Sequence, residues 1–264
     1  MITITIGSFK GGTSKTTSSL NIGYILSLFG KNTLLIDLDP QGNLTSYIGC
    51  SNKTKYGIGE VLYEKVNIND ILIKTKYKGL CLLPSSKFLE NYREFNISIL
   101  SKPESILNQK LGEISESFDF CIMDTPPSLG LISKMAFLAS DYVIPCIGMD
   151  PFSILGLQTL FSYIDRYHDI LNTKILGIIT SFWEKRSSMG RVLNKILYEK
   201  YSELLFNNKI HKDVSVSKSI IQETPLAKSF SKSRVSKDYF LLTKEILERI
   251  GYESVSEEIL SDRL

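Results

Sequence analysis

The sequence predicts an α/β fold: a parallel, twisted sheet flanked by helices on both faces. Three observations predict it. Short apolar runs recur along the chain, stretches long enough for a crossover helix separate them, and the first run ends in a glycine-rich loop that opens a helix. Near-continuous apolar strands belong to sheets covered on both sides, and their crossovers wind right-handed. Of the 264 residues, 43% are hydrophobic and 22% charged, which supports a full core and excludes a disordered chain or a stapled mini-protein.

Taken in order, Ile2, Ile4 and Ile6 alternate with threonine as a first strand, and Gly7–Gly12 breaks the pattern before a helix from Lys15 to Phe29. A second strand, Thr33–Ile36, ends at Asp37 and leads into the loop Asp39–Asn43. Further strands are expected at Leu80–Leu83, Phe118–Met123, Tyr142–Ile147 and Ile175–Ile179. Residues 49–79 are the least regular part and read as a helical excursion. With no repeat, low-complexity tract or Pro/Ser-rich linker, residues 1–264 read as one domain. The four cysteines lie far apart with no C-x-x-C pair, which argues against a zinc or cluster site. Cys81, Cys121 and Cys146 sit among apolar neighbours and read as buried strand thiols in a reducing cytoplasm. No apolar run reaches the roughly 18 residues of a membrane span, and no export signal opens the chain.

The chemistry concentrates in Lys10-Gly11-Gly12-Thr13-Ser14-Lys15-Thr16-Thr17. Placed between a buried strand and a helix start, its glycines let backbone N–H groups turn inward and cradle phosphate oxygens with the positive helix end. Lys15 can reach the terminal phosphates and Thr16 can ligate magnesium. The loop departs from G-x-x-x-x-G-K-[ST]: Phe9 stands where the first glycine belongs, and a lysine precedes the glycine pair.

That departure is itself a signature. The chain resembles the ParA/Soj partition ATPases within the wider ParA–MinD group of P-loop NTPases, whose deviant Walker A loop reads K-G-G-x-G-K-[ST]-[ST]. Asp37-Leu38-Asp39-Pro40-Gln41-Gly42-Asn43 is similar to that family's second acidic motif, and Cys121–Ser128 to its magnesium-side strand end. Weaker similarity runs through Asp150–Leu157 and Ser181–Arg186 to Ser231–Arg234. Because the first strand begins at residue 2, the resemblance implies the short form, without an amino-terminal helix-turn-helix domain.

The resemblance also implies roles. Lys15 holds the phosphates of its own protomer, while Lys10 crosses an ATP-dependent sandwich homodimer to the partner's nucleotide. Asp39 orients the attacking water, Thr16 binds Mg2+ directly, and Asp124 holds a water of the metal shell, with Asp37 a lesser candidate. For each carboxylate the other reading is a helix cap or loop acceptor. Ser14 stands where the family carries glycine. A side chain there meets backbone angles that cost roughly 1 kcal/mol or more, so it either brakes the ATPase or adds a phosphate contact.

Thirty-one basic against 28 acidic residues leave only +3, so a nucleic-acid role rests on where charge sits. From Lys209 to Lys237 seven basic residues face two acidic ones. Lys212, Lys218, Lys228, Lys232, Arg234 and Lys237 are the candidate DNA contacts, in position similar to the family's non-specific DNA surface, with Arg234 the best match and Lys212 next. A merely solvated basic face is the other reading. The final twenty residues carry six acidic and two basic groups, which opposes the lipid-binding tail of MinD-type relatives. His211 replaces a proline frequent in relatives beside the adenine. The expectation is therefore a cytoplasmic, nucleoid-associated ATPase for plasmid or chromosome partition, using ATP and Mg2+ and stimulated by a centromere-binding ParB-like partner. Its alternative is a catalytically weak or inactive nucleotide- or DNA-binding regulator of the same family resemblance.

Overall fold

Ile–Thr alternation builds β1 (Ile2–Gly7) in the interior of the sheet, with every residue from Thr3 to Gly7 buried. In this computed structural model residues 1–63, 65–93, 103–184 and 187–252 are described. After β1 come α1 (Lys15–Leu28), β2 (Thr33–Asp37) and the short helices α2 (Asn43–Tyr47) and α3 (Ile58–Leu62). They are followed by β3 (Ile73–Lys74), β4 (Leu80–Leu83), α4 (Ile106–Gly112), β5 (Phe120–Asp124) and α5 (Leu131–Leu138). The chain continues through β6 (Tyr142–Gly148), α6 (Pro151–Arg166), β7 (Lys174–Ile175), β8 (Ile179–Ser181) and α7 (Ser188–Tyr201). It closes with α8 (Val214–Ile221), α9 (Leu226–Ser229) and α10 (Arg234–Ile250).

The strand order is β3-β4-β2-β5-β1-β6-β7, with β8 also pairing β6. Every pairing is parallel except β3 with β4. One face carries Ile4, Ile6, Leu35, Phe120, Ile122 and Ile144 into a core with α1 and α10. The other carries Leu34, Ile36, Cys121 and Met123 against α3, α4 and α5. Alternate side chains are thus apolar on both faces, the pattern of a doubly covered sheet.

Helix α1 is buried almost all round and uses its polar groups as ties. Asn21 Nδ2 donates to Thr17 O, and its Oδ1 accepts the amide of Leu226 at 2.8 Å, which docks the carboxyl-terminal helices. Gly23 lets α1 approach β2: a Cβ there would stand 2.5 Å from Leu35 Cδ2. Arg249 and Glu245, one turn apart on α10, fasten the helix to the segment after α7. Arg249 donates to the carbonyls of Leu176, Leu204 and Leu205, and Glu245 accepts the backbone and side-chain amides of Asn207 and Asn208. Because Glu245 is buried, replacing it with alanine removes the acceptor of the Asn207 and Asn208 amides and the carboxylate paired with Arg249 at 3.0 Å. A loss of about 3 kcal/mol is expected in urea-induced unfolding.

Four expectations are corrected. Residues 49–79 are only partly helical, and Ile73–Lys74 returns as an antiparallel edge strand. Thr75 makes the reversal, its amide and hydroxyl both donating to Leu80 O. The strand expected at Phe118–Met123 runs from Phe120 to Asp124. The strand expected at Ile175–Ile179 is two, because Ile178 pairs with Leu204 and Phe206 and diverts the chain between them. Cys81 is half-buried rather than buried, while Cys121 and Cys146 are buried; all four cysteines are free. Among the described residues no helix is long and apolar enough to cross a membrane.

Candidate functional site

The carboxyl ends of β1, β2 and β5 meet at one edge, where register aligns Ile6 with Asp124 and Asp37 with Asp124. This is the edge at which open α/β sheets bind ligands, at the crevice beyond the strand ends. The loop from Gly7 to α1 wraps over it. A cleft of about 650 Å³ opens beside Gly11 to Thr17 and includes Asp39 and Gln41. At Gly11 and Gly12 a Cβ would meet nothing within 4 Å, and Gly12 takes a positive φ of 72°. The loop backbone is therefore bare on the cleft side, and no side chain of Ser14 caps the first amides of α1. That combination suits a phosphate chain.

Lys15 is buried at the loop's centre, its Nζ 3.5 Å from Lys10 O. Thr16 Oγ1 donates to Asp124 Oδ2 at 2.6 Å, and Ser19 Oγ donates to Asp124 Oδ1 at 3.3 Å. Asp124 is fully enclosed. Burial, and next the neighbouring Asp37, push its carboxyl up to about 8, against the Thr16 hydrogen bond and Lys15, which pull it down. Asp37 is likewise raised by burial, to about 6, and the hydroxyl and amide of Thr45 and the amide of Asp39 oppose that rise. Those bonds occupy both oxygens of Asp37: Oδ2 accepts Thr45 N and Oγ1, and Oδ1 accepts Asp39 N. Asp37 thus holds the loop that carries Asp39. Asp39 Oδ1 accepts Gln41 N, and Asp39 O accepts the Ser85 hydroxyl at 2.5 Å. The hard oxygens of Thr16 and Asp124, next to a phosphate cradle, fit Mg2+, which takes one or two protein ligands and completes its shell with phosphates and water. Among the described residues no group of three or more His, Cys, Asp or Glu side chains could hold a metal without such help.

Lys10 is directed toward α6. Its Nζ is 2.6 Å from Asp150 Oδ1 and 5.6 Å from the ring centroid of Phe152, which is exposed. Asp150 also caps α6, accepting from Ser153 N and Oγ. Burial alone would raise the Asp150 carboxyl, but the hydrogen bonds from Lys10 and Ser153 outweigh it and hold the group below the usual range. Ser14 has φ 65°, so its predicted strained angles are real. Its hydroxyl does not reach into the phosphate side: it donates to Ser181 Oγ behind the loop.

A second cleft, about 560 Å³, shares Gly12, Ser14 and Thr17 and extends to Ser181, Phe182 and His211. The His211 backbone amide donates to Asp238 Oδ2; Nδ1 lies 2.8 Å from the same carboxylate and Nε2 2.5 Å from Arg234 Nη2. With Asp238 as acceptor at Nδ1, the neutral tautomer places its proton there and leaves Nε2 to accept from the guanidinium. Lys212 pairs with Glu184 at 3.1 Å. Lys212, Lys218, Lys228, Lys232, Arg234 and Lys237 are all exposed: Lys212 precedes α8, Lys218 is on α8, Lys228 on α9, Lys232 between α9 and α10, and Arg234 and Lys237 on α10. The stretch Ser181–Arg186 is described to Glu184, and Lys185, Arg186 and the acidic tail residues Glu253, Glu257, Glu258 and Asp262 lie outside the described residues.

Sequence reasoning missed Asp150 as the partner of Lys10, Thr45 as the holder of Asp37, and Ser181 with Cys146 behind Ser14. The Asp-Pro pair at 150–151 carried one usable signal, a helix cap followed by proline at the first helical position.

The chain is similar to known proteins over most of its length. Residues 1–176 match the family described as AAA domain. The chain is 40% identical over 251 residues to the virulence plasmid ParA family protein pGP5-D of Chlamydia psittaci, covering 95% of this chain and 96% of that one. It is 30% identical over 244 residues to the chromosome-partitioning ATPase Soj of Treponema pallidum, covering 92% and 95%. Among solved structures, a putative plasmid partition protein of Borrelia burgdorferi bound to AMPPNP superposes with a TM-score of 0.78 at 29% identity, over 94% of this chain and 98% of that one.

Proposed function

The chain belongs to the ParA family, and from that premise we propose that it is an ATPase that dimerises on ATP, binds DNA without reading its sequence, and takes part in plasmid or chromosome partition. The observation that carries this reading is the bare loop backbone at Gly11 and Gly12, set against buried Lys15 and the Thr16–Asp124 pair. In it Lys15 and the loop amides bind the phosphates, Thr16 and Asp124 hold Mg2+, and Asp39 accepts a proton-side hydrogen bond from the attacking water and aligns it. Mg2+ supplies charge neutralisation on the phosphate oxygens. Lys10 leaves Asp150 and reaches the nucleotide of a second copy, so that ATP becomes part of the interface. Arg234 with Lys212, Lys218, Lys228, Lys232 and Lys237 contacts phosphates of DNA, and pairing two protomers doubles that surface.

The turn forms with Ser14 in place, which supports nucleotide binding in this reading and equally in its alternative, a catalytically weak or inactive nucleotide- or DNA-binding regulator; ATP turnover above that of a Lys15→Ala variant separates the two. Gel filtration with ATP and Mg2+ tests the proposal. Wild-type protein is expected to shift transiently to a dimer, and Asp39→Ala to form a persistent one that alone retains DNA, less so as salt rises. A monomer under all nucleotide conditions, for both proteins, overturns it.

A further inference from the structure

The phosphate loop is tethered from behind, and we infer that Ser181 is a positioning residue for nucleotide binding, with Cys146 as a second grip; the inference rests on the nucleotide-binding reading of the loop. In the left-handed conformation of Ser14, its Cβ crowds the following carbonyl, a conformation glycine adopts freely. A serine at a helix start ordinarily turns its oxygen to the amides of the first turn, and Ser14 makes no such bond. Its hydroxyl instead donates to Ser181 Oγ at 2.5 Å and lies 3.5 Å from Cys146 Sγ.

Both anchors belong to the sheet. Ser181 ends β8 and Cys146 lies in β6, and the two strands run side by side, with Cys146 opposite Ile179 and Gly148 opposite Ser181. The Cys146 thiol also donates to Thr13 O at 2.8 Å, so the residues on either side of the Thr13–Ser14 peptide are held by the same pair of strands. Ser18 Oγ, 3.8 Å from Cys146 Sγ and 3.1 Å from Tyr239 Oη, continues the web beneath α1. Ser181, Cys146, Ser18 and Tyr239 are all completely enclosed. Ser14 itself is half-buried and borders the second cleft, so the bond is sheltered on its Ser181 side and open to water only at Ser14.

The chemistry of the tether follows. A loop with glycine at position 14 holds its left-handed angles without help. With serine there, the strain is opposed by the bond to Ser181, and the amides that face the cleft stay aligned for phosphate only while that bond stands. Ser14 and Ser181 are thus coupled to each other and, through the loop backbone, to the nucleotide.

A double-mutant cycle read by calorimetric titration with Mg·ADP tests this. Ser181→Ala is expected to weaken ADP about fivefold to tenfold in the Ser14 protein, the scale of one part-buried hydrogen bond. In a Ser14→Gly background the same change is expected to alter affinity less than about twofold, so that Ser14→Gly rescues Ser181→Ala. Cys146→Ala weakens ADP in both backgrounds, because its grip on Thr13 does not depend on residue 14. Equal losses from Ser181→Ala in the two backgrounds, or none in either, overturn the inference. If the wild-type protein takes up no nucleotide at all, the nucleotide-binding reading fails. Melting of the ligand-free variants then decides the coupling alone: a Tm drop from Ser181→Ala confined to the Ser14 background supports the tether, and an additive drop overturns it.

Discussion

Replacing Lys10 with alanine is expected to lower steady-state ATP turnover about 10³-fold while changing ADP affinity of the isolated protomer less than about threefold, a split that assigns Lys10 to the transition state rather than to ground-state binding. The magnitude is that of a cation supplied to a transferring phosphoryl group from a neighbouring chain. The small effect on affinity follows from geometry. Lys15 contacts the backbone oxygen of Lys10, which alanine retains, whereas the Lys10 ammonium is directed to Asp150 and the ring of Phe152 and away from Lys15. The pair with Asp150 adds a second arm. For Lys10 to serve another protomer it must leave a 2.6 Å ion pair with a carboxylate whose other oxygen is held by Ser153. Asp150→Asn keeps the α6 cap and weakens the hold on Lys10, so it is expected to lower the ATP concentration at which the dimer forms, by roughly twofold to fivefold, as befits a half-exposed pair. Paired single-turnover and steady-state assays check both variants. A Lys10→Ala protein with normal turnover would remove the trans role from the mechanism.

What the sequence disclosed, and what it hid, follows the range of the interactions concerned. β1, the phosphate loop and α1 were readable because their determinants are consecutive: alternating Ile–Thr, two glycines, then a lysine and hydroxyl residues at a helix start. Asp124 was readable for the same reason, at the end of an apolar run. Lys10 could be singled out by its place before the glycines, but not the Asp150 that holds it, 140 positions away. The break between β7 and β8 was equally hidden. It arises because Ile178 exchanges hydrogen bonds with Leu204 and Phe206, and because Gly177 leaves room for the Phe206 ring, which a Cβ would approach to 2.7 Å. The outlook for Ser14 was half legible. Its strained angles follow from the residue type expected in that loop, while the direction of its hydroxyl depends on Cys146 and Ser181, which lie 132 and 167 positions away along the chain on β6 and β8. A two-residue edge strand such as β3 gives no period to detect at all.

The second large effect concerns charge beneath the cleft. In ligand-free protein Asp124 keeps its proton up to about pH 8 and Asp37 up to about pH 6, whereas in the unfolded chain an aspartate loses it near 3.9. Between those values the folded state binds more protons than the unfolded state, so the stability derivative with pH is negative. The stabilisation is complete below about pH 4, shrinks through pH 6 on account of both groups, and continues to shrink to pH 8 on account of Asp124 alone. The wild-type melting temperature is therefore expected to fall by several degrees from pH 6 to pH 8, corresponding to about 1–3 kcal/mol. Asp124→Asn, which is neutral at every pH, removes that slope and is the more stable protein at pH 8. It also removes the anionic oxygen beside Thr16, and Mg2+-dependent nucleotide binding is expected to weaken at least about tenfold. The site then holds a carboxylate that the empty fold would be better without, since a buried charge is tolerated only where a cation answers it. Scanning calorimetry of both proteins at pH 6 and pH 8, without nucleotide, decides the matter: a flat wild-type profile would mean that Lys15 and Thr16 already neutralise Asp124 in the absence of metal.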